Sequence, residues 1–323
     1  MRKSYKKYSY PHGITFHHFH DNVIHKKSQG SINAYELKKI INFVGRKNIK
    51  SPAEFFDKVH NKKLKKNDLC LTFDDGSKTQ FDIALNVLND FKIKGFFFIP
   101  SNIFSTKPDY LEIYRFFRNN YFKNIDEFYS KFFEKINRNY EKFIFKNKNN
   151  INKSLKKFNF FSFNDVKFRL IRDNFLSKKE YDLIMKKLFK DKKFNPYSHN
   201  SKLFMSKNDL RVIFKDGHNI GLHSHTHPTK IEKFTEKKQY NEYFFNKKKL
   251  SHILNISQNE INTMAHPCGS FNNNTLNVLK KLNIELGFSN LMPNSKKINS
   301  KIISEKFLEI PRNDHSIILK LMK

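Results

Sequence analysis

The chain has 323 residues, with 62 Lys and Arg against 30 Asp and Glu, so its formal net charge is +32. This length can hold one large domain or two modest ones, and α/β barrels routinely occupy it as one unit. Two cysteines, Cys70 and Cys268, exclude a disulfide framework of the kind that small secreted domains need. The longest apolar stretch, 95–100, is too short to span a bilayer, and the basic amino terminus lacks the apolar run of a signal peptide. We therefore expect a protein of the reducing cytoplasm.

The positive charge suggests binding to nucleic acids or membranes as an alternative function, because dense cationic surfaces bind polyanions through counterion release. Lysine is enriched along the entire length together with Asn, Ile and Phe, which indicates a background bias more than a designed patch. The sequence contains no RNA-recognition signature, zinc-finger spacing or basic leucine zipper. A cationic nucleic-acid- or membrane-binding protein on an inactive barrel therefore stays as an alternative function.

The sequence predicts seven buried strands, in chain order 13–19, 69–73, 95–99, 219–223, 262–266, 284–289 and 307–311. Helical patterns lie between them at 34–44, 80–91, 207–215, 236–254 and 274–282. This alternation favours parallel strands joined by crossover helices. The pattern alone does not separate a closed barrel from an open doubly wound sheet, but both place catalytic loops at the carboxyl ends of the strands.

The segment 106–201 does not follow this alternation of strands and helices, because it is far longer than an ordinary connection between two elements. Two stretches in it, 110–117 and 181–189, have the periodicity of amphipathic helices, and the Asn/Lys-rich stretch 146–153 predicts a mobile loop. We interpret 106–201 as a helical insertion within a single domain that spans 1–323. It either covers the barrel mouth, where it would shape substrate choice, or forms a subdomain away from the site.

Two short sequence motifs contain the side chains that could bind a metal ion. The string LTFDDG places Asp74 and Asp75 at the end of an apolar run, and HSHTHP places His223 and His227 four residues apart after another. One carboxylate and two imidazoles make a three-ligand site for a divalent metal with a coordination position left for water, which is the catalytic pattern for zinc. The sequence therefore predicts a metal site at two strand ends, with Zn²⁺ as the expected ion.

The same strings resemble the motifs Thr-Phe-Asp-Asp-Gly and His-Ser-x-x-His of the polysaccharide deacetylase family, the NodB-type carbohydrate esterases. Further strings, including FHHFHD at 16–21, QGSI at 29–32 and HPCG at 266–269, resemble a branch encoded with surface-polysaccharide genes of the O-antigen type. The resemblance covers nearly the whole chain. It implies a distorted (β/α)7 barrel of the NodB type, with the helical insertion between the first and second motifs.

The resemblance also implies roles for residues within the two motifs. Asp75, His223 and His227 are implied as the metal ligands, and Asp74 is left to act as the general base. The family uses a late histidine as the general acid, and His315 is the best match in this chain. We expect either Asp314 or Arg312 to orient it.

The third string, AHPCGSFN at 265–272, departs from the family pattern. Pro267 fixes the turn and exposes the next amide, so the Cys268 N–H is a candidate donor to the oxyanion. The arginine that tethers the base in the family is missing at this position. His266 either substitutes for that arginine or is a buried histidine at a strand end. We expect three residues on the substrate-binding side of the site: His18, His266 and Arg312.

These features together predict a metal-dependent hydrolase that removes an N-acetyl group from an amino sugar of a surface-polysaccharide precursor. Without a secretion signal we expect the sugar to be nucleotide- or lipid-linked, and the positive charge would suit such a phosphorylated substrate. The missing arginine keeps a different metallohydrolase as a further alternative.

Overall fold

The structure is a computed structural model that describes residues 5, 10–106, 110–157, 161–290, 292 and 300–323. Its internal contacts separate two units. The first consists of Met1–Lys27, Ser31–Asp109 and Asn200–Lys323, and the second of Ser28–Gly30 and Tyr110–His199. The predicted insertion at 106–201 and the second unit have similar bounds, while its placement over the barrel mouth stays a prediction.

The described part of the first unit contains one sheet of seven parallel strands. They are β1 (His12–Phe16), β2 (Leu69–Asp74), β3 (Phe96–Ile99), β4 (Asn219–Leu222), β5 (Thr263–Ala265), β6 (Leu286–Phe288) and β7 (Arg312–Asp314), in the spatial order β6-β5-β4-β3-β2-β1-β7. The two outer strands approach each other, because Ile310 pairs with Phe288 and its N–H donates to the Gly287 carbonyl at 2.9 Å. The predicted distorted (β/α)7 barrel is therefore confirmed as a nearly closed barrel.

Helices of the first unit, numbered along the whole chain, are α1 (Ala34–Val44), α2 (Pro52–His60), α3 (Leu85–Asp90), α10 (Asn200–Leu203), α11 (Lys207–Lys215), α12 (Glu236–Leu254), α13 (Asn273–Lys281), α14 (Ser300–Glu305) and α15 (His315–Met322). Side-chain caps begin six of them, namely α1, α2, α11, α12, α13 and α15. At α1, for example, the Glu36 N–H donates to the Asn33 side chain and the Asn33 N–H donates to the Glu36 carboxylate, both at 2.9 Å. The predicted helices 34–44, 207–215 and 236–254 are confirmed to the residue.

Side chains alternate between an inner and an outer apolar core, because successive residues of a strand point to opposite faces. Phe96 and Phe98 of β3 join Cys70 in the core inside the barrel. Phe97 lies in the layer between the barrel and its helices, where its ring stacks on Phe73 at a centroid distance of 4.7 Å. The same alternation turns Asp74, one residue after Phe73, toward the barrel interior.

The second unit is helical: α4 (Tyr110–Asn120), α5 (Ile125–Glu134), α6 (Glu141–Lys146), α7 (Lys148–Lys157), α8 (Phe163–Leu170) and α9 (Lys178–Asp191), with a π-helical turn at Ile171–Phe175. The expected mobile loop at 146–153 is wrong, because most of that stretch lies in α7. Lysine is a good helix former, and Ile151 gives the helix a buried anchor at 1% exposure.

Two further boundaries differ from prediction. The seventh strand begins at Arg312, after the apolar residues 307–311 that were expected to form it. The predicted helix 80–91 begins as a π-helical turn, Gln80–Ala84, before α3. Within the described ranges, no helix has the length and apolar character needed to cross a membrane.

Candidate metal centre

Asp74 and Asp75 turn in different directions at the carboxyl end of β2. Asp74 is fully buried and faces the barrel interior. Asp75 has a φ of 78°, so the backbone leaves the strand in a left-handed conformation, and its N–H donates to the Phe98 carbonyl at 3.1 Å. A non-glycine residue in this conformation is uncommon and recurs at functional sites. The turn gives the two adjacent carboxylates separate surroundings.

His223 follows β4 and has a fixed ring orientation. Its Nδ1–H donates to the Ala265 carbonyl at 2.8 Å, which leaves the Nε2 lone pair for another partner. The backbone N–H of His223 donates to the Asn246 side chain at 2.9 Å. The loop then passes through Ser224 at φ 60° and His227 at φ 52°, so it folds back toward the strand end.

Three potential ligand atoms converge. His223 Nε2 lies 3.3 Å from Asp75 Oδ1, His227 Nε2 lies 3.2 Å from the same oxygen, and the two nitrogens are 3.1 Å apart. Bonds of about 2.0–2.1 Å to a tetrahedral zinc place its ligand atoms about 3.3 Å from each other. Asp75 Oδ1 is buried, and no hydrogen bond of normal geometry reaches it from any residue that the structure describes. The donor set and its spacing therefore fit a divalent metal.

Electrostatics keep Asp75 in the charged form that a metal needs. Burial alone would raise the pKa of its carboxyl, but the neighbouring His227 and His223 outweigh that effect and hold the pKa well below its usual range.

Arg312 binds Asp74 and is buried with it. Its two terminal nitrogens donate to Oδ1 and Oδ2 of Asp74 at 2.7 and 2.8 Å. The remaining N–H groups donate to Ser289 O, Thr72 Oγ1 and the Asn290 side chain, so all five donors of the guanidinium are used. Burial alone would raise the pKa of Asp74, but Arg312 in particular outweighs burial and holds that pKa below its usual value.

This arrangement corrects the expected role of Arg312. A side chain that is 1% exposed and fully hydrogen-bonded has no donor left for a substrate, so Arg312 is the partner that orients Asp74. An arginine on β7 thus contacts Asp74, although the third string contains none. His266 does not replace it, because its Nε2 bonds the Leu308 carbonyl at 2.9 Å and its ring stacks on Phe271. Burial lowers the pKa of His266 to about 4, so this strand-end histidine is neutral.

Cys268 occupies the turn Pro267–Gly269 that follows β5, with a φ of 52°. The Ala265 carbonyl two residues before this turn is the one that orients His223. The turn therefore begins beside the candidate metal ligands. Its thiol is exposed, while the thiol of Cys70 is buried in the inner core.

Two histidines, His17 and His315, directly follow β1 and β7. The His17 Nε2 lies 3.9 Å from Asp74 Oδ2, directly after β1. The His315 ring stacks on Phe16, a member of the layer between the barrel and its helices, and its Nδ1 lies 3.2 Å from the Thr15 carbonyl. The alternation of side chains along β1 could have identified His17 from the sequence. His17 and Thr15 share the inner face of β1, while Phe16 faces outward. His18, expected to line the site, stacks beside His17 at a centroid distance of 6.2 Å and has a ring nitrogen within 4.8 Å of a carboxylate oxygen of Asp75.

Known proteins place this geometry in context. A family model described as polysaccharide deacetylase matches residues 61–115 and 176–287, more than half of the chain. No curated protein matches the chain significantly.

Solved structures share the fold. The Streptococcus pyogenes deacetylase PplD in complex with acetate is 14% identical with a TM-score of 0.53, over 98% of this chain and 100% of that one. IcaB from Ammonifex degensii is 13% identical with a TM-score of 0.55, over 97% and 96%. A de-N-acetylase from Aggregatibacter actinomycetemcomitans is 12% identical with a TM-score of 0.54, over 97% and 99%. The match of the family model to both motif regions shows that the chain belongs to the polysaccharide deacetylase family.

Proposed function

We propose that the protein is a metal-dependent hydrolase that removes an N-acetyl group from an amino sugar of a surface-polysaccharide precursor. The observation that carries the proposal is the convergence of Asp75, His223 and His227 on one point beside the buried Asp74 carboxylate. A deacetylase and a de-N-acetylase among the structures of similar fold support the same reaction.

Asp75, His223 and His227 would hold the metal, with zinc as the ion that the donor set favours. When bound, such a cation supplies Lewis acidity toward water and the acetyl carbonyl. Asp74 Oδ2 takes the proton of the attacking water, and Arg312 keeps this carboxylate anionic and correctly oriented. Arg312 cannot relay the proton onward, because its guanidinium stays protonated in proteins.

Two groups complete the reaction. The Cys268 N–H is the proposed donor to the oxyanion of the tetrahedral intermediate. We assign protonation of the leaving amine to His17, whose Nε2 lies 3.9 Å from Asp74 Oδ2, in preference to His315. His17 is partly exposed, as an acid that meets a substrate must be. The acetyl C–N bond breaks as this proton reaches nitrogen, so acetate and a free amino sugar leave.

Arg312 also bears on the alternative of a different metallohydrolase. That alternative depended on the missing arginine, and its support is weaker because Arg312 on β7 lies beside the proposed base. We further propose that the amino sugar is nucleotide- or lipid-linked, because a net charge of +32 favours a phosphorylated substrate.

Acetate release tests the proposed function. The full chain is incubated with UDP-linked, polyprenyl-linked and polymeric N-acetylated amino sugars, before and after chelation and after zinc is restored. We expect release that stops with chelator and returns with zinc. His223→Ala should abolish release and bound metal, whereas His252→Ala, at an exposed site on α12, should change neither. Release that persists in fully metal-free protein would contradict the proposal.

A further inference from the structure

The loop that contains His227 has a strained backbone. It follows β4 over residues 223–227, and two of its residues, Ser224 and His227, have left-handed conformations with φ of 60° and 52°. Residues other than glycine adopt this conformation at an energetic cost, so the loop keeps its shape only where its surroundings hold it. The groups that hold the loop therefore decide where the His227 imidazole lies.

Glu242 on α12 contacts the middle of this loop. The N–H groups of His225 and Thr226 donate to its Oε2 at 3.0 and 2.8 Å, and the Thr226 hydroxyl donates to its Oε1 at 2.8 Å. The Glu242 side chain is only 8% exposed. Burial of a carboxylate is costly unless its oxygens are hydrogen-bonded, and hydrogen bonds to a charged acceptor are about twice as strong as neutral ones. Glu242 thus fixes the segment that lies between the two left-handed residues.

Asn246, one turn further along α12, contacts the start of the same loop. It is fully buried, and its side chain accepts from the His223 N–H and donates to the Ile99 carbonyl at the end of β3, both at 2.9 Å. Residues four positions apart lie on one face of a helix. Glu242 and Asn246 therefore hold the start and the middle of the loop against one helix.

A turn after β3 contacts the loop as well. Ser101 Oγ lies 2.8 Å from His225 Nδ1, and the Asn102 N–H donates to the His225 carbonyl at 3.0 Å. His225 is thus an anchor of the loop, whereas the ligand atoms of the histidines on either side of it converge on Asp75.

We propose that Glu242 is a positioning residue that holds His227 in place for metal binding before a metal is bound. The inference rests on the proposed function, because it relates the shape of the loop to the metal centre. Without the carboxylate, residues 225–226 can leave their conformation, and the His227 imidazole then spends less time beside His223 and Asp75. Metal binding becomes weaker, because it must then order the loop.

Zinc titration of the metal-free full chain, in competition with a chelator of known affinity, tests the proposal. Glu242→Gln keeps the size of the side chain but removes its charge and places an amide NH₂ opposite a donor of the loop. We expect zinc binding to weaken about tenfold or more, as when a charge-assisted hydrogen-bonding group is lost. Thr226→Val removes the hydroxyl contact and should weaken zinc binding about threefold. The double variant should lose less than the product of the two single losses, because both substitutions act on one contact.

Two measurements separate this role from a merely structural one. A structural role would lower the free energy of unfolding of the metal-free protein and leave the zinc affinity of the folded protein unchanged. Amide hydrogen exchange of the metal-free protein reports on the loop directly. The amides of His225 and Thr226 should exchange faster in Glu242→Gln, while those of β4 stay as protected as in the wild type.

Glu236→Gln is the matched control, because it removes the same charge from α12 at a carboxylate that pairs with Lys281 at 2.6 Å. It should leave zinc affinity within about twofold of the wild type. Wild-type zinc affinity in folded Glu242→Gln, or an equal loss in Glu236→Gln, would overturn the proposal. If Glu242→Gln does not fold, Thr226→Val decides, and unchanged zinc affinity in that variant would overturn it.

Separate measurements of zinc binding and acetate release distinguish failure of this proposal from failure of the proposed function. A wild type that binds zinc but releases no acetate would contradict the proposed function alone. A wild type that binds no zinc would contradict both.

Discussion

The guanidinium of Arg312 holds both carboxylate oxygens of Asp74, at 2.7 and 2.8 Å, although the two residues are 238 positions apart in the chain. This pair joins β7 to β2 inside the barrel. It gives the proposed base a fixed orientation and a negative charge, and three predictions about the site rest on it and on its surroundings.

Arg312→Lys should lower kcat/KM about 10²-fold while metal content stays at the wild-type level. Lysine keeps the positive charge but loses the two-point fork, so Asp74 is free to rotate away from the attacking water. Steady-state acetate release measures kcat/KM, and metal analysis shows whether the metal is retained. Arg46→Lys, on the surface, serves as the matched control. Unchanged kcat/KM in Arg312→Lys would remove the positioning role.

Asp74→Asn and Asp75→Asn should separate base from ligand. Asp74→Asn should retain metal and lose about 10²-fold or more in kcat, because an amide has no basicity. Asp75→Asn should lose most of its metal, because a neutral amide is a weaker ligand than a carboxylate. Metal content is measured in variants whose circular dichroism spectra match that of the wild type. Loss of metal in Asp74→Asn, with metal retained in Asp75→Asn, would exchange the assignments of base and ligand.

His17→Gln should reduce kcat about 10²-fold, whereas His315→Gln should cost mainly stability. The first substitution removes the acid that we place near Asp74, and the second removes a ring stacked on Phe16. Paired measurements of kcat and of the free energy of unfolding distinguish the two roles. A large loss of kcat in a stable His315→Gln protein, with His17→Gln active, would restore His315 as the acid.

The protein should lose stability as the pH falls from about 6.5 to about 4, in part through His218. Burial, and then Lys94, lower the pKa of His218 to about 4, and its Nδ1 accepts a hydrogen bond from the Gly95 N–H at 3.0 Å. The unfolded chain binds the proton first, so the free energy of unfolding falls by up to about 1.4 kcal/mol per pH unit in this window.

His218→Asn keeps an acceptor near Nδ1 but does not titrate. Urea unfolding at several pH values should therefore give a flatter pH dependence for this variant, whereas His252→Asn, at an exposed site, should follow the wild type. Identical pH profiles for His218→Asn and the wild type would contradict the assignment.

The net charge of +32 leads to one prediction about nucleic acids. If the lysine excess is background, binding should be weak, unselective and steeply lost between low and physiological salt. Filter binding at physiological salt checks this. Tight, sequence-preferring binding that His227→Ala leaves unchanged would favour the binding protein over the enzyme.

Local patterns in the sequence are enough to predict most of the helices and strands and to locate the two motifs. Strand alternation, helical periodicity and capping residues act within a few positions, so 34–44, 207–215 and 236–254 were predicted to the residue. Asp74, Asp75, His223 and His227 were recognisable because each motif is continuous in the chain and ends a buried strand.

Contacts between side chains that are distant in sequence could not be predicted in this way. Arg312 lies far from both motifs in sequence and was assigned to substrate or to His315, until the β1–β7 pairing turned it toward Asp74. His17 and His315 differ by the face of the barrel on which they lie, which follows from strand register rather than residue type. Local patterns fix local structure, whereas hydrogen bonds and ion pairs across the barrel depend on closure, which no short stretch of sequence encodes.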